Sequence, residues 1–100
     1  MAEFEITCIN KPDRYSQHEH ITHIGNVNNN WKMTREAAIK RIDANTERYY
    51  TVDKHTGKKA YVGVVREPNK APYLKTHADG DWNNNLLAQQ ECGSNCKIVA

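Results

Sequence analysis

With 100 residues, 38% apolar and 26% charged, the chain has the size of one domain and a polar but globular composition. Fourteen Lys and Arg against twelve Asp and Glu leave a formal charge of +2, far short of the basic stripe that marks a nucleic-acid module by charge alone. No apolar run approaches the ~18 residues of a membrane span, which excludes a helical membrane anchor within the sequence.

The start, Met1-Ala2-Glu3-Phe4-Glu5, is acidic and already alternating, unlike a signal peptide, so the expected compartment is the cytoplasm. Three Cys, an odd number, then read as reduced thiols. Phe4, Ile6 and Cys8 alternate with Glu5 and Thr7, which predicts one half-buried strand over residues 4–9. Pro12 and Asp13 end it, and a polar loop follows through Tyr15 and Gln17. A second strand is expected over 19–24, carrying Ile21 and Ile24, and the Asn-rich stretch 25–30 reads as a loop.

Thr34 is a good N-cap, Glu36 places negative charge in the first turn, and Asn45 suits the C′ position, so a helix of about ten residues is expected over 34–44. Its apolar stripe is Ala38, Ile39 and Ile42, and a helix this short must be held by a sheet. Residues 48–52 form the next strand, and 53–57 a hairpin loop in which Gly57 is free to take positive φ. Residues 60–66 are apolar on both faces, which marks a central strand. After a turn at Pro68-Asn69-Lys70, residues 72–76 return as a shorter strand. Beyond His77 the pattern fades: 79–81 is a turn, Leu86 and Leu87 plug the core edge, and 88–100 reads as a loosely ordered tail. The resulting fold is α+β, one domain over 1–100: an antiparallel sheet of about five strands with one helix on a face, in the order β-β-α-β-β-β.

Certain residues also carry a resemblance. Ile6-Thr7-Cys8-Ile9, His18-Glu19 leading to Ile24-Gly25, and Trp31 with Thr34-Arg35-Glu36-Ala37-Ala38-Ile39 come first; Tyr73-Leu74-Lys75-Thr76 with Asp79, and Asn84-Asn85-Leu86-Leu87 before Cys92, follow in order. The chain resembles a family of short, mostly bacterial and phage-carried domains of unknown function. That resemblance implies a stand-alone cytoplasmic α+β domain and transfers no catalytic residue.

Three groups bear on chemistry. His18, His20 and His23, with Cys8, Cys92 and Cys96, are zinc-ligand types. Strand parity would separate His23 from His18 and His20, and Cys92-x-x-x-Cys96 is not the spacing of zinc ribbons, so partly exposed His and ordinary thiols are the plainer account. His77, Asp79 and Asp81 could hold Mg²⁺, but Asp-Gly-Asp is equally an ordinary tight turn. No nucleophile motif, P-loop or dinucleotide fingerprint is present, and no enzyme or cofactor is expected.

The third group is Arg48, Lys54, His55, Lys58 and Lys59, flanked by Tyr49, Tyr50 and Tyr61. Cations beside aromatic faces can grip a phosphate backbone and stack bases, while the same charges also serve to keep a hairpin edge from aggregating. The expectation is a non-catalytic binding module for a protein or nucleic-acid partner, with Arg48, Lys54, His55, Lys58, Lys59 and Tyr61 as its site. The alternative is a small metal-binding domain using His18, His20, His23 and the Cys residues, Cys92 foremost.

Overall fold

The alternation at the start of the chain is cut in the middle. In the computed structural model, which describes residues 2–12, 20–78 and 80–99, it forms two strands, β1 (Ala2–Glu5) and β2 (Cys8–Asn10). Ile6 N donates to Tyr50 O at 2.7 Å, and the next amide, Thr7 N, donates to Gly25 O at 2.9 Å. Those acceptors belong to different sheets, so the chain changes sheets between two consecutive residues. Cys8 and Ile9 are both fully buried, which a strand with one wet face does not permit.

The expected single antiparallel sheet is therefore corrected to two five-stranded sheets. The first joins β1, β5 (Glu47–Val52), β6 (Lys59–Val65), β7 (Tyr73–Ala78) and β8 (Asp81–Asn83), in that order. The second joins β10 (Lys97–Ile98), β4 (Trp31–Thr34), β3 (His23–Asn26), β2 and β9 (Gln90–Glu91). Each mixes parallel and antiparallel pairs: β1 runs parallel to β5, β9 to β2 and β10 to β4. The protein is thus mostly β, with the helix α1 (Arg35–Asp43) the one described helix of any length. Among the described residues no helix is long and apolar enough to cross a membrane.

Local chemistry explains the elements. Thr34 Oγ1 accepts from Ala37 N at 3.1 Å and caps α1, as its sequence position implies. At the other end Asn45 takes φ 57°, Asn45 N donates to Ile42 O and Thr46 N to Arg41 O, which together close a Schellman motif. Ala38 is fully buried, with Ile39 and Ile42 packed more loosely on the core. Thr34 ends β4 and caps α1 at once, so the helix starts without a loop; residues 31–34 are a strand that the Asn-rich stretch before them concealed. That stretch turns because buried Asn26 donates from Nδ2 to Glu5 O and accepts on Oδ1 from Asn28 N and Asn29 N.

The three hairpins of the first sheet also follow their turn chemistry. Asp53 Oδ1 accepts from His55 N and Thr56 N, and Gly57 sits at φ 73°. Asn69 and Gly80 take positive φ in the next two turns. β8, read from sequence as part of a fading turn region, is a strand three residues long. Tyr15, Gln17, His18, Glu19 and Asp79 lie outside the described residues.

The core lies between the sheets. Tyr49, Val62 and Leu74 contribute from the first sheet, Ile9, Ile24 and Met33 from the second, and Ala38 from the helix. Leu86, fully buried, closes one edge as expected. β6 is the middle strand of its sheet, and its inward residues Ala60 and Val62 are buried. Residues 90–98 supply β9 and β10, one flanking each edge of the second sheet.

Candidate functional site

Burial of Tyr49, Thr51, Ala60, Val62, Leu74 and Thr76 fixes which face of the first sheet points inward. Pleat alternation then sends Tyr50, Tyr61, Gly63, Lys75, His77 and Trp82 to the other face. The register sets four of these in one row across four strands. Tyr50 lies opposite Tyr61, Tyr61 opposite His77, and His77 opposite Trp82. Tyr50 and Tyr61 have ring centroids 6.1 Å apart, and His77 and Trp82 meet edge to face at 5.3 Å. Trp82 is 49% exposed, an unusual cost for a large aromatic side chain on a small protein.

The row is held from beneath and alongside. A Cβ on Gly63 would lie 3.1 Å from the Trp82 ring and 3.0 Å from His77 Cδ2, so the missing side chain makes room for the indole to lean across β7. On the inner face, buried Thr76 is within 2.6 Å of Asn83 Oδ1, donating to it, and accepts from Leu86 N at 3.1 Å. These bonds fasten β8, and hence Trp82, to the sheet.

Cations flank the aromatic row. Lys59 Nζ lies 4.5 Å from the centroid of Tyr50, and Arg48 Cζ 5.9 Å from that of Tyr61. One carboxylate serves both: Glu3 on β1 stands 3.7 Å from Arg48 Nη1 and 3.7 Å from Lys59 Nζ, and accepts from the Tyr61 hydroxyl at 3.3 Å. The face therefore carries a row of rings, two cations that share Glu3 as a partner, and Lys75 one rung away opposite Gly63.

Of the residues singled out from sequence, Arg48, Lys59 and Tyr61 fall on this face together. Lys54, His55 and Lys58 are exposed on the hairpin beyond it, and Lys54 and His55 line a cleft of about 600 Å³ with Glu5, Val27 and Gln90. Tyr49 points the opposite way: it is fully buried, and burial together with its bond to Glu47 raises its phenol above the ordinary range. His77 was singled out from sequence only with Asp79, which lies outside the described residues, and Asp81 as an Mg²⁺ group, while Trp82 was missed because β8 is so short. The available signal was Asp81-Trp82-Asn83 alternating directly after Gly80.

The described His residues are partly exposed, as the plainer account has them, but the Cys residues are arranged differently. His18 lies outside the described residues, His20 is exposed, and His23 sits on β3 with Nδ1 2.9 Å from Thr22 Oγ1. Burial first, and Lys32 second, hold the His23 pKa below its ordinary value. The expectation of three reduced thiols is corrected: Cys8 and Cys92 form a disulfide, and Cys96 is the free, buried thiol. Pairing of β9 with β2 brings Cys92 to Cys8 across 84 residues of sequence, a proximity that spacing does not disclose. Among the described residues, the group of potential metal ligands that comes together is Cys8, Cys92 and Cys96, with neither His20 nor His23 in it.

Residues 5–88 match the family described as "Protein of unknown function (DUF3892)", and the chain belongs to that family. The match takes in α1, both sheets' central strands and the whole aromatic row, and stops short of Cys92 and Cys96. No curated protein and no solved structure matches the chain.

Proposed function

We propose that this member of the family is a non-catalytic binding module whose outward sheet face takes single-stranded nucleic acid. The observation that carries the reading is the row Tyr50, Tyr61, His77 and Trp82, set across four neighbouring strands with cations beside it. Every base has a π-face, so a row of rings at strand spacing accepts successive bases without sequence preference. Neighbouring strands are about 4.8 Å apart, a separation that an unstacked nucleotide chain spans easily. Arg48, Lys59 and Lys75 would meet the backbone phosphates, and Lys54, His55 and Lys58 would extend the cationic surface along the hairpin. The small net charge fits a ligand held by stacking more than by charge. The reading places the chain in the cytoplasm, where such strands occur and where low-molecular-weight thiols would open the Cys8–Cys92 bond.

Fluorescence anisotropy with a labelled oligothymidylate tests it. Binding should appear at low salt, and Trp82→Ala and Tyr61→Ala should each weaken it by about tenfold, the scale of one lost stacking contact. Raising salt should weaken it with a slope of only about two to three, matching Arg48, Lys59 and Lys75. Absence of binding at low salt, or a Trp82→Ala protein that binds like the parent, contradicts the reading.

A further inference from the structure

A second feature lies in the other sheet, and two of its three cysteines, Cys92 and Cys96, lie beyond the matched family residues. The three sulfurs of Cys8, Cys92 and Cys96 lie within 4.8 Å of one another. All three residues are buried, and the apolar side chain packed against them is the half-buried Val27. A staple between β2 and β9 needs two cysteines, so the sulfur of Cys96 at the same point is surplus to it. We propose that the reduced form of this cluster is a zinc site with three thiolate ligands, formed when a low-molecular-weight thiol opens the Cys8–Cys92 disulfide.

The chemistry balances in two steps. Two equivalents of the small thiol reduce the bond, giving Cys8 and Cys92 thiols and one small-molecule disulfide. One Zn²⁺ then displaces the protons of the three cysteines, releasing three H⁺ and leaving a complex of charge −1 with a fourth position open to water. With Zn–S bonds of ~2.3 Å, sulfurs around a tetrahedral zinc stand about 3.8 Å apart. From a cluster already within 4.8 Å, that is a small movement.

The surroundings suit the change. Cys8 is fixed on β2, and Asn10, two residues on, donates to Cys92 O at 3.2 Å while Cys92 N donates to Ile9 O at 3.0 Å. Cys96 follows a turn in which its own amide donates to Gly93 O, and a Cβ on Gly93 would meet nothing within 4 Å, so the turn has room to adjust. Cys8 pairs with Gly25, and Gly25 with Lys32, so the three share one face of the sheet. Lys32 Nζ reaches back over that face to Asn10 Oδ1 at 3.2 Å. This puts a cation on the face that carries Cys8, of the sign that the zinc–thiolate complex would attract.

Cys96→Ser separates the proposal from a plain staple, because Cys96 takes no part in the disulfide. Tag-free protein is reduced with a phosphine, desalted without oxygen, and titrated with Zn²⁺ against a chromophoric chelator. Co²⁺ in place of zinc reports thiolate ligation through its charge-transfer absorption. Reduced wild type should bind one Zn²⁺ per chain more than about tenfold tighter than oxidised wild type, and reduced Cys96→Ser should lose more than about tenfold of that affinity. Oxidised Cys96→Ser should melt close to oxidised wild type. Circular dichroism, with and without zinc, covers a reduced chain that unfolds: refolding on zinc addition supports the site. A reduced chain that gains neither zinc nor structure overturns the proposal, as does equal zinc binding by wild type and Cys96→Ser. The oligonucleotide reading is untouched by either result, since the aromatic row is on the other sheet.

Discussion

Glu3 stands between Arg48 and Lys59, where the phosphate of a strand laid over the aromatic row would compete with it. Its removal should therefore help the ligand. Glu3→Gln is expected to raise oligonucleotide affinity about threefold, the scale of a partly exposed ion pair, with little change in melting temperature. A fall in affinity would show that Glu3 orders the cations instead of competing for them. A second residue sets a pH dependence. His23 has its pKa held below the ordinary value of about 6.5 by burial first and by Lys32 second, against an opposing pull from Glu36, with Thr22 Oγ1 at its Nδ1. The folded state thus binds the His23 proton less readily than the unfolded chain. This contribution to stability is complete above about pH 6.5 and is lost as pH falls through the folded value. Urea midpoints at pH 7.5 and pH 5 should differ, and His23→Gln should narrow the difference. An NMR titration placing His23 above 6.5 would contradict the sign. Asp53 and Glu67 act in a lower window, through the bonds from His55 and Thr56 and from Tyr73 that hold their carboxylates below the usual range.

Among the elements, α1 and β8 make the most specific demands. Thr34→Ala removes the acceptor for Ala37 N and should cost about 1 kcal/mol, read from the shift of the urea midpoint. Gly63→Ala puts a methyl group 3.1 Å from the Trp82 ring, and the ring, being the far end of a movable side chain, gives way. The variant should fold but bind oligonucleotide less well; unchanged binding would show that the indole need not lie over β6. These elements also show what the sequence disclosed. Thr34, Asn45, Gly57 and Asn69 each act through chemistry local to a few residues, and each was legible. Strand β4 was hidden behind the Asn-rich turn and β8 by its brevity. The split at Ile6 and Thr7 was invisible, because it depends on partners at Tyr50 and Gly25, far along the chain. The site divides in the same way. Arg48, Lys59 and Tyr61 are close in sequence and were found together, while His77 and Trp82 join them only through strand register.

At the scale of the whole molecule, the Cys8–Cys92 bond ties the start of the second sheet to its last segment across 84 residues. A cross-link closing so long a loop contributes about 4 kcal/mol when it acts mainly on the unfolded chain. Cys92→Ser combined with Cys96→Ser, which leaves Cys8 no second thiol to pair with, should lower the urea midpoint of oxidised protein accordingly, and oxidised and reduced forms of that double variant should then melt alike. The first sheet is fastened independently through Thr76, Asn83 and Leu86, so its outward face should survive this change. The central claim is that this face, and no other, holds a single strand. Amide and indole NMR shifts of ¹⁵N-labelled protein, followed during titration with an unlabelled oligothymidylate, test it most directly. The account predicts that the largest shifts fall on Tyr50, Tyr61, Gly63, His77 and the Trp82 indole, with the Glu3→Gln protein saturating at lower oligonucleotide. Shifts confined to α1 and the second sheet, or no shifts at low salt, would contradict it.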